Sequence, residues 1–201
     1  THIFIDFDET IFNHYEYIKW LERKLSNKLP NIKQLSGTFT DYHTTKCKNL
    51  RIYNHRSHIK DILGIEWEMF SAEAEKARVS LKSDFCYNDV HEALGYLAKS
   101  GSDIRILTYG DSEYQYYKIR TCPIIAKLKI PIHVVKEPKG DFLKKYYSKN
   151  GISGILIDDK YPIDVPENWR HILIKRNNLP PTNNISHIKK LTDIVVLINK
   201  Y

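Results

Sequence analysis

The 201-residue sequence is poor in cysteine and has no long apolar run. Its three cysteines, Cys47, Cys86 and Cys122, are far apart and form no Cys-x-x-Cys pair. This odd, scattered set excludes a disulfide framework and favours a reducing compartment. No apolar run approaches the about 20 residues that span a bilayer, so we expect no membrane partner. A strand begins at the first residues and leaves no space for a signal peptide, so we expect a cytoplasmic protein.

The sequence also lacks blocks of like charge, although its formal net charge is +7. Most of the positive residues are lysines spread along the chain, and arginine, which binds phosphate with a planar fork, is scarce. Charge spread in this way favours an ordinary solvated surface over a nucleic-acid-binding surface, which stays the weaker alternative. Hydrophobic residues make up 42% of the chain, which is sufficient for a globular core.

Strands and helices are predicted to alternate along most of the chain. Five short apolar runs are interpreted as strands, over residues 2–6, 103–108, 130–135, 154–159 and 171–175. Helical periodicity predicts helices over residues 11–25, 66–82, 88–101, 112–120, 141–151 and 185–200. Ser112 and Gln115 are expected to form a capping box at the start of one helix. Near-continuous apolar strands separated by helices are typical of a parallel sheet with helices on both faces.

Residues 13–82 interrupt this alternation directly after the first strand. They contain no convincing strand pattern, and residues 31–62 are polar, rich in histidine and irregular. We therefore expect a mainly α-helical insertion over residues 13–82 and a core formed by residues 1–12 and 83–201. The predicted fold class is α/β, with a five-stranded parallel sheet, helices on both of its faces and the helical insertion.

Polar side chains follow three of the predicted strands. Asp6 and Asp8 end the first, Thr108 ends the second, and Asp158 and Asp159 end the fourth. Ligands of open parallel sheets bind beyond the carboxyl ends of the strands, so we expect these side chains to converge. Taken alone, each aspartate pair could also be a solvated strand end or a turn. Converging carboxylates repel each other unless a cation lies among them, and hard oxygen ligands suit Mg²⁺. A bound Mg²⁺ and a nucleophilic carboxylate would together serve phosphoryl transfer.

Four short motifs occur in a fixed order along the chain. They are DFDET at residues 6–10, ILT at residues 106–108, a lysine, and ILIDD at residues 155–159. This set resembles the motifs of the haloacid-dehalogenase (HAD) superfamily, over residues 1–15 and roughly 85–176. The resemblance implies a Rossmann-like core. The insertion matches the family only in its position, where the family places a helical cap.

The resemblance implies a role for each motif residue. Asp6 would be the nucleophile that becomes phosphorylated, and Asp8 would be the general acid and then the general base. Thr108 would hydrogen-bond a phosphoryl oxygen. Asp6, Asp159 and the backbone carbonyl of Asp8 would ligate Mg²⁺, with Asp158 as a further or water-mediated ligand. A second aspartate at the position of Asp8 is typical of the phosphatases and phosphotransferases, whereas the dehalogenases lack it.

The lysine of the third motif has three candidates. Lys139, in KGDFL before the fourth strand, resembles the family pattern best and would neutralise both the nucleophile and the phosphoryl group. Lys136, three residues earlier at a strand end, is the second candidate. Lys118, in the preceding helix, is the third.

The insertion contains a cluster of polar residues that suggests two other sites. His43, Cys47, His55 and His58 could be imagined as zinc ligands, but their spacing fits no standard zinc finger. Arg51, His55, Arg56 and His58 could instead contact an anionic substrate. We favour a third interpretation, a solvated polar face.

The sequence therefore predicts a Mg²⁺-dependent phosphatase that hydrolyses a phosphate ester through an aspartyl-phosphate on Asp6. The expected partner is a phosphorylated small molecule, with a phosphorylated nucleic acid as the alternative. Two other functions stay open. One is a phosphotransferase or mutase with the same chemistry, and the other is a nucleic-acid-binding protein whose HAD site is idle.

Overall fold

The computed structural model describes residues 1–39, 52–81, 84–160, 163–176 and 187–198. Its centre is a six-stranded parallel sheet with the strand order β3-β2-β1-β4-β5-β6. The strands are β1 (His2–Ile5), β2 (Asp103–Tyr109), β3 (Ile132–Val135), β4 (Gly154–Asp158), β5 (Trp169–Ile174) and β6 (His187–Ile188). The first strand thus lies inside the sheet, between β2 and β4.

Eight α-helices have both of their ends among the described residues. They are α1 (His14–Leu25), α2 (His55–Leu63), α3 (Trp67–Arg78), α4 (Val90–Lys99), α5 (Ser112–Ile119), α6 (Pro123–Lys127), α7 (Lys139–Tyr146) and α8 (Asp193–Ile198). Two short 3₁₀ turns lie at Ile32–Gln34 and Ser148–Asn150. The short helix α6 has no counterpart among the predicted helices.

The five predicted strands correspond to β1–β5, and the α/β fold class is confirmed. The sixth strand replaces the first part of the helix predicted over residues 185–200. It pairs with the end of β5. Helix α8 begins only at Asp193, whose carboxylate accepts hydrogen bonds from the backbone N–H groups of Lys189 and Lys190. Pairing at the sheet edge thus outweighs the helical periodicity of this segment.

The predicted capping box at the start of α5 is wrong. Asp111, one residue earlier than predicted, is the N-cap of this helix. Its carboxylate accepts a hydrogen bond from the backbone N–H of Tyr114 at 3.1 Å. An aspartate satisfies this free N–H group at least as well as a serine does, so Ser112 becomes the first residue of the helix. Gln115 is thereby available for another contact.

The two faces of β1 contribute to two different hydrophobic clusters. Ile3, Phe4 and Ile5 are all fully buried. Ile3 and Ile5 belong to the larger cluster, which includes Leu94 of α4, whereas Phe4 belongs to a smaller cluster with Leu143 of α7. This alternation follows from the two-residue period of a strand. It confirms that helices cover both faces of the sheet.

The described residues of the insertion form helices and no strand. Leu21 of α1, Ile59 of α2 and Phe70 of α3 are buried together in the larger cluster. Helix α2 lies within residues that were predicted to be irregular. By contrast, Tyr15 of α1 and Met69 of α3 are 60% and 57% exposed.

The insertion leaves and re-enters the core at adjacent points. The backbone N–H of Asn13 donates to the carbonyl oxygen of Phe85 at 2.8 Å. Phe12 forms an isolated antiparallel bridge with Cys86. These four residues form a paired connection that we call the stem.

Two further expectations concern cysteine and the membrane. Cys86 and Cys122 are free thiols, as the scattered cysteines suggested, and Cys47 lies outside the described residues. None of the described helices is long and apolar enough to cross a membrane.

Candidate active site

The structure brings the polar strand ends together at one edge of the sheet. Asp6 directly follows β1, and its backbone N–H donates to the carbonyl oxygen of Ile157 at 2.9 Å. This bond continues the pairing with β4 and places Asp6 beside the end of that strand. Thr108 of β2 and Asp158 of β4 flank it, since these are the neighbouring strands. All three residues are at most 4% exposed.

A cluster of three carboxylates lies at this edge. Asp6, Asp158 and Asp159 each offer an oxygen, and these oxygens all lie within 4.8 Å of one another. One further contact fixes the cluster, because the backbone N–H of Lys160 donates to Asp158 Oδ1 at 2.9 Å. The predicted convergence of these aspartates is therefore observed.

Lys139 is the cation that lies against this cluster. Its Nζ is 2.5 Å from Asp6 Oδ1 and 2.5 Å from Asp158 Oδ2. Burial alone would lower the pKa of Lys139, but attraction by Asp6 and Asp158 outweighs it and raises this pKa above its ordinary value. Lys139 is the first residue of α7, so its position depends on how that helix begins. Lys136, the second candidate, is exposed.

One lysine does not neutralise three carboxylates. Burial, and then the charge of Asp158, raise the pKa of Asp6 well above its usual range. The same two causes raise the pKa of Asp159 to about 6. In addition, Asp159 Oδ1 is buried without a hydrogen-bond partner. Excess negative charge, an unsatisfied oxygen and an all-oxygen donor set together fit a hard divalent cation such as Mg²⁺.

Asp8 lies apart from this cluster and is held by α5. Its Oδ1 is 2.5 Å from Lys118 Nζ, and its Oδ2 accepts a hydrogen bond from Gln115 Nε2 at 3.0 Å. Burial opposes the ionisation of Asp8, but the positive charge of Lys118 outweighs it and lowers the pKa of Asp8 to about 2. Asp8 is therefore a carboxylate at neutral pH. The third lysine candidate thus contacts Asp8 rather than Asp6.

Sequence reasoning missed Gln115 and Lys118 as partners of Asp8. Both side chains are almost fully buried, at 4% and 2% exposure. They are three positions apart and therefore lie on one face of α5. The available signal was a polar pair within the helix that directly follows the strand ending at Thr108. Gln115 was instead assigned to a capping box with Ser112, and Lys118 was considered only as the third candidate for the motif lysine.

The prediction of a solvated polar face in the insertion is wrong for His55 and His58. They are 3% and 0% exposed, because α2 turns this side towards the core. His58 Nδ1 lies 2.6 Å from Tyr53 Oη. His43, Cys47 and Arg51 lie outside the described residues.

Arg56 connects the insertion to the core instead of facing the candidate site. Its Nη2 lies 2.8 Å from Glu113 Oε1 of α5, and it also pairs with Glu68. His55 lies beside the same acidic group, with its Nε2 3.4 Å from Glu113 Oε2. Neither residue therefore contacts the three-carboxylate cluster.

A cavity of about 340 Å³ lies between the insertion and the strand ends. Asp8, Lys118 and Asp159 form part of its lining on the core side. His14 and aromatic side chains form part of its lining on the insertion side, among them Phe39 and Tyr53. Its volume lies at the lower end of the range for small-molecule sites. The carboxylates of Asp8 and Asp159 are thus accessible to a ligand in the cavity.

Comparisons with known proteins give the fold. No protein-family model matches the chain, and no curated protein is similar to it in sequence. Solved structures are similar, and one is a putative haloacid dehalogenase-like hydrolase from Burkholderia xenovorans. It has a TM-score of 0.68 and 14% sequence identity, over 100% of this chain and 98% of that one.

Two other structures are similar over nearly their whole length. The putative HAD-hydrolase YfnB from Bacillus subtilis, which is bound to magnesium, has a TM-score of 0.66 and 15% identity, over 98% of each chain. A dehalogenase in an intermediate complex has a TM-score of 0.63 and 12% identity, over 98% of this chain and 96% of that one. At these identities the similarity establishes the fold, and the expected HAD-like core is confirmed at that level.

Proposed function

Because the chain has the fold of the haloacid dehalogenase-like hydrolases, we propose that it is a phosphatase. It hydrolyses a phosphate ester through an aspartyl-phosphate on Asp6. One observation carries this proposal: Lys139 Nζ lies 2.5 Å from Asp6 Oδ1 inside a buried cluster of three carboxylates. A buried, lysine-bound carboxylate at the end of the central strand is a nucleophile that is kept from water until the substrate enters.

The acidic cluster would hold Mg²⁺. Asp6, Asp158 and Asp159 supply side-chain oxygens, and the HAD resemblance adds the backbone carbonyl of Asp8. When bound, the ion neutralises charge on the phosphoryl oxygens and on the surrounding carboxylates. The unsatisfied Asp159 Oδ1 supports this assignment, since a buried carboxylate oxygen without a partner is otherwise unfavourable.

The protein side chains divide the reaction into two steps. In the first, Asp6 forms a bond to phosphorus while the bond to the leaving oxygen breaks, and Asp8 gives that oxygen a proton. In the second, Asp8 takes a proton from water, which attacks the phosphoryl group and releases Asp6. Lys139 offsets the negative charge of the phosphoryl group, and Thr108 donates a hydrogen bond to it.

The ionised form of Asp8 in this structure is the form required for the second step. For the first step it must receive a proton, and Lys118 is hydrogen-bonded to it. Burial lowers the pKa of Lys118, but the positive charge of Lys118 lowers the pKa of Asp8 to about 2, so the pair favours the carboxylate. In this proposal Lys118 orients Asp8 and holds it in the form that the second step needs.

Asp8 also favours a phosphatase over a dehalogenase, although one similar structure is a dehalogenase. A dehalogenase displaces a halide, which needs no proton, so a carboxylate that protonates the leaving group would have no role in the first step of that reaction. Residues 13–82 are, in this proposal, the cap that covers the leaving group, and residues 1–12 and 83–201 are the catalytic core.

The experiment is hydrolysis of 4-nitrophenyl phosphate with Mg²⁺ by the wild-type protein, Asp6→Asn and Asp141→Asn. Asp141 is a matched control, because it is an exposed aspartate on α7. We expect turnover by the wild type and by Asp141→Asn and none by Asp6→Asn. Retained turnover in Asp6→Asn would exclude the aspartyl-phosphate. Preferential phosphoryl transfer to added ethanol would instead indicate a phosphotransferase, and chloride release from 2-chloropropionate would indicate a dehalogenase.

A further inference from the structure

One side of the cavity is a continuous group of rings, which we call the aromatic wall (His14, Phe39 and Tyr53 of the insertion, and Tyr114 of α5). Ring centroids of His14 and Phe39 are 4.5 Å apart, and those of Phe39 and Tyr53 are 4.7 Å apart. The Tyr53 and Tyr114 rings follow at 5.4 Å. All four residues line the cavity. A ligand in the cavity therefore meets ring surfaces on this side.

The aromatic wall adjoins Asp8 and Lys118. Lys118 Nζ lies 4.7 Å from the centroid of the Tyr114 ring and 2.5 Å from Asp8 Oδ1. Asp8 is the residue that would protonate the leaving oxygen in the proposed reaction. The part of the substrate attached to that oxygen must therefore extend towards the aromatic wall.

Two of the polar groups of the wall are engaged with each other. Tyr114 Oη lies 3.1 Å from His14 Nε2. Burial raises the pKa of Tyr114 well above its usual range, so its hydroxyl stays neutral. Burial, and then the positive charge of Lys118, lower the pKa of His14 to about 3, so this imidazole is also neutral at pH 7. The wall therefore presents uncharged rings, which suit stacking better than charge recognition.

We propose that this cavity selects phosphate esters with a planar aromatic leaving group, such as a nucleobase-bearing sugar or an aryl-bearing alcohol. The inference rests on the proposed phosphatase activity. Stacking of a base on an aromatic side chain contributes about 5- to 150-fold in affinity when measured by alanine substitution. Aromatic rings also favour offset or edge-to-face contacts at centroid distances like those within the wall.

Gln115 would distinguish a nucleobase from a simple aryl group, which are the two sources of such a ring. Its Nε2 donates to Asp8 Oδ2 at 3.0 Å and to the carbonyl oxygen of Tyr109 at 2.9 Å, which fixes the orientation of the amide. Its Oε1 is consequently a buried acceptor without a hydrogen-bond partner, in a residue that lines the cavity. A nucleobase offers N–H groups to such an acceptor, whereas a simple aryl ring does not. We therefore expect the nucleobase to be preferred.

The experiment compares two pairs of substrates, each matched in its leaving oxygen. Adenosine 5′-monophosphate and ribose 5-phosphate differ by the base, and benzyl phosphate and cyclohexylmethyl phosphate differ by the aromaticity of the ring. We expect kcat/KM to be at least about tenfold higher for the aromatic member of each pair. The gain should be larger in the nucleoside pair. An equal gain in both pairs would assign the selectivity to the ring alone and overturn the role given to Gln115.

A matched set of variants tests the aromatic wall. Phe39→Leu and Tyr53→Leu should each reduce the aromatic preference within both pairs about tenfold, because leucine removes the ring and keeps an apolar side chain. Tyr146→Leu, which alters a tyrosine of α7 that is 46% exposed, should leave the preference unchanged. Circular dichroism checks that each variant is folded. A preference that persists in Phe39→Leu and Tyr53→Leu would overturn the assignment of the wall.

Failure of this inference is distinguishable from failure of the proposed function. Turnover of all four esters at similar kcat/KM would overturn the aromatic selectivity and leave the phosphatase proposal intact. Equilibrium titration with adenosine, ribose, benzyl alcohol and cyclohexylmethanol gives a readout that does not require turnover. Binding of only the aromatic alcohols, with no hydrolysis of any ester, would support the cavity assignment and overturn the phosphatase proposal.

Discussion

Lys118 Nζ lies 2.5 Å from Asp8 Oδ1, although the two residues are 110 positions apart in the sequence. The contact joins the loop after β1 to α5, and both side chains face the cavity. It gives the second aspartate of the first motif a dedicated cationic partner, separate from the lysine that contacts Asp6.

Replacing Lys118 should impair the step that depends on Asp8. In Lys118→Met, Asp8 loses the group that orients it and keeps only the hydrogen bond from Gln115. We expect turnover of 4-nitrophenyl phosphate to fall by about tenfold or more, as part of the ~10²–10⁴-fold that general acid–base catalysis supplies. Lys127→Met, at an exposed lysine of α6, is the control. Equal rates in the two variants would show that Lys118 has no part in the reaction.

The two aspartates of the first motif should give different covalent species. Asp6→Asn removes the nucleophile, so no phosphoenzyme forms. In Asp8→Asn the nucleophile remains, and 4-nitrophenolate leaves without needing much protonation, so phosphoenzyme forms but is hydrolysed slowly. Turnover by Asp8→Asn should fall by ~10²–10⁴-fold. Intact-protein mass spectrometry should find an added phosphate on Asp8→Asn alone, and a label on Asp6→Asn would reverse the two roles.

Lys139 should matter for both stability and activity, and Lys136 for neither. Lys139→Met leaves Asp6 and Asp158 buried without their cation. Removing one partner of a buried ion pair typically lowers the free energy of unfolding by about 3–5 kcal/mol. We expect urea denaturation without metal to show a loss of this order, together with loss of turnover. If Lys136→Met is the inactive variant, the third-motif lysine has been misassigned.

Mg²⁺ should bind at the three-carboxylate cluster in the absence of substrate. An ion that binds only the folded state adds about 2.7 kcal/mol to the free energy of unfolding at a hundred times its dissociation constant. We expect thermal denaturation to move to higher temperature with MgCl₂ but not with NaCl of equal ionic strength. The shift should be much smaller in Asp159→Asn, and EDTA should abolish turnover. Recovery with Zn²⁺ alone would argue against an all-oxygen site.

His14 should make the protein less stable in mild acid. Its pKa is lowered to about 3 in the folded state, against about 6.5 in an unfolded chain. The unfolded state therefore binds a proton first as the pH falls below 6.5, which favours unfolding. Between pH 7 and pH 5 the wild type should lose about 1–2 kcal/mol more than His14→Gln in urea denaturation. His91→Gln, at an exposed histidine, should follow the wild type.

Most of the fold and the acidic cluster could be predicted because they depend on local patterns. Apolar runs that end in Asp6, Thr108 and Asp158 identify both the strands and the edge at which their polar ends meet. Parallel pairing then brings these residues together without further information. The position of Lys139 followed from the HAD resemblance, and the structure places its Nζ between two of the aspartates.

The remaining features depend on contacts between segments that are distant in the sequence. Hydrophobic periodicity does not reveal such contacts. Nothing near Asp8 in the sequence indicates that Lys118 is its partner. His55 and His58 were interpreted as solvated because their neighbours are polar, yet helix packing buries them. Likewise, β6 exists because β5 offers an unpaired edge, and the helical pattern of the same residues gives no sign of it.

The stem has a consequence for how the protein could be rebuilt. Because the backbone of Asn13 is hydrogen-bonded to that of Phe85, the two ends of the insertion are already as close as the ends of a tight hairpin. Exchanging everything beyond them would alter no described strand of the sheet and none of the residues proposed to hold the phosphoryl group. The insertion is thus an interchangeable module, and a graft between Asn13 and Phe85 could change the preferred substrate while the reaction stays the same.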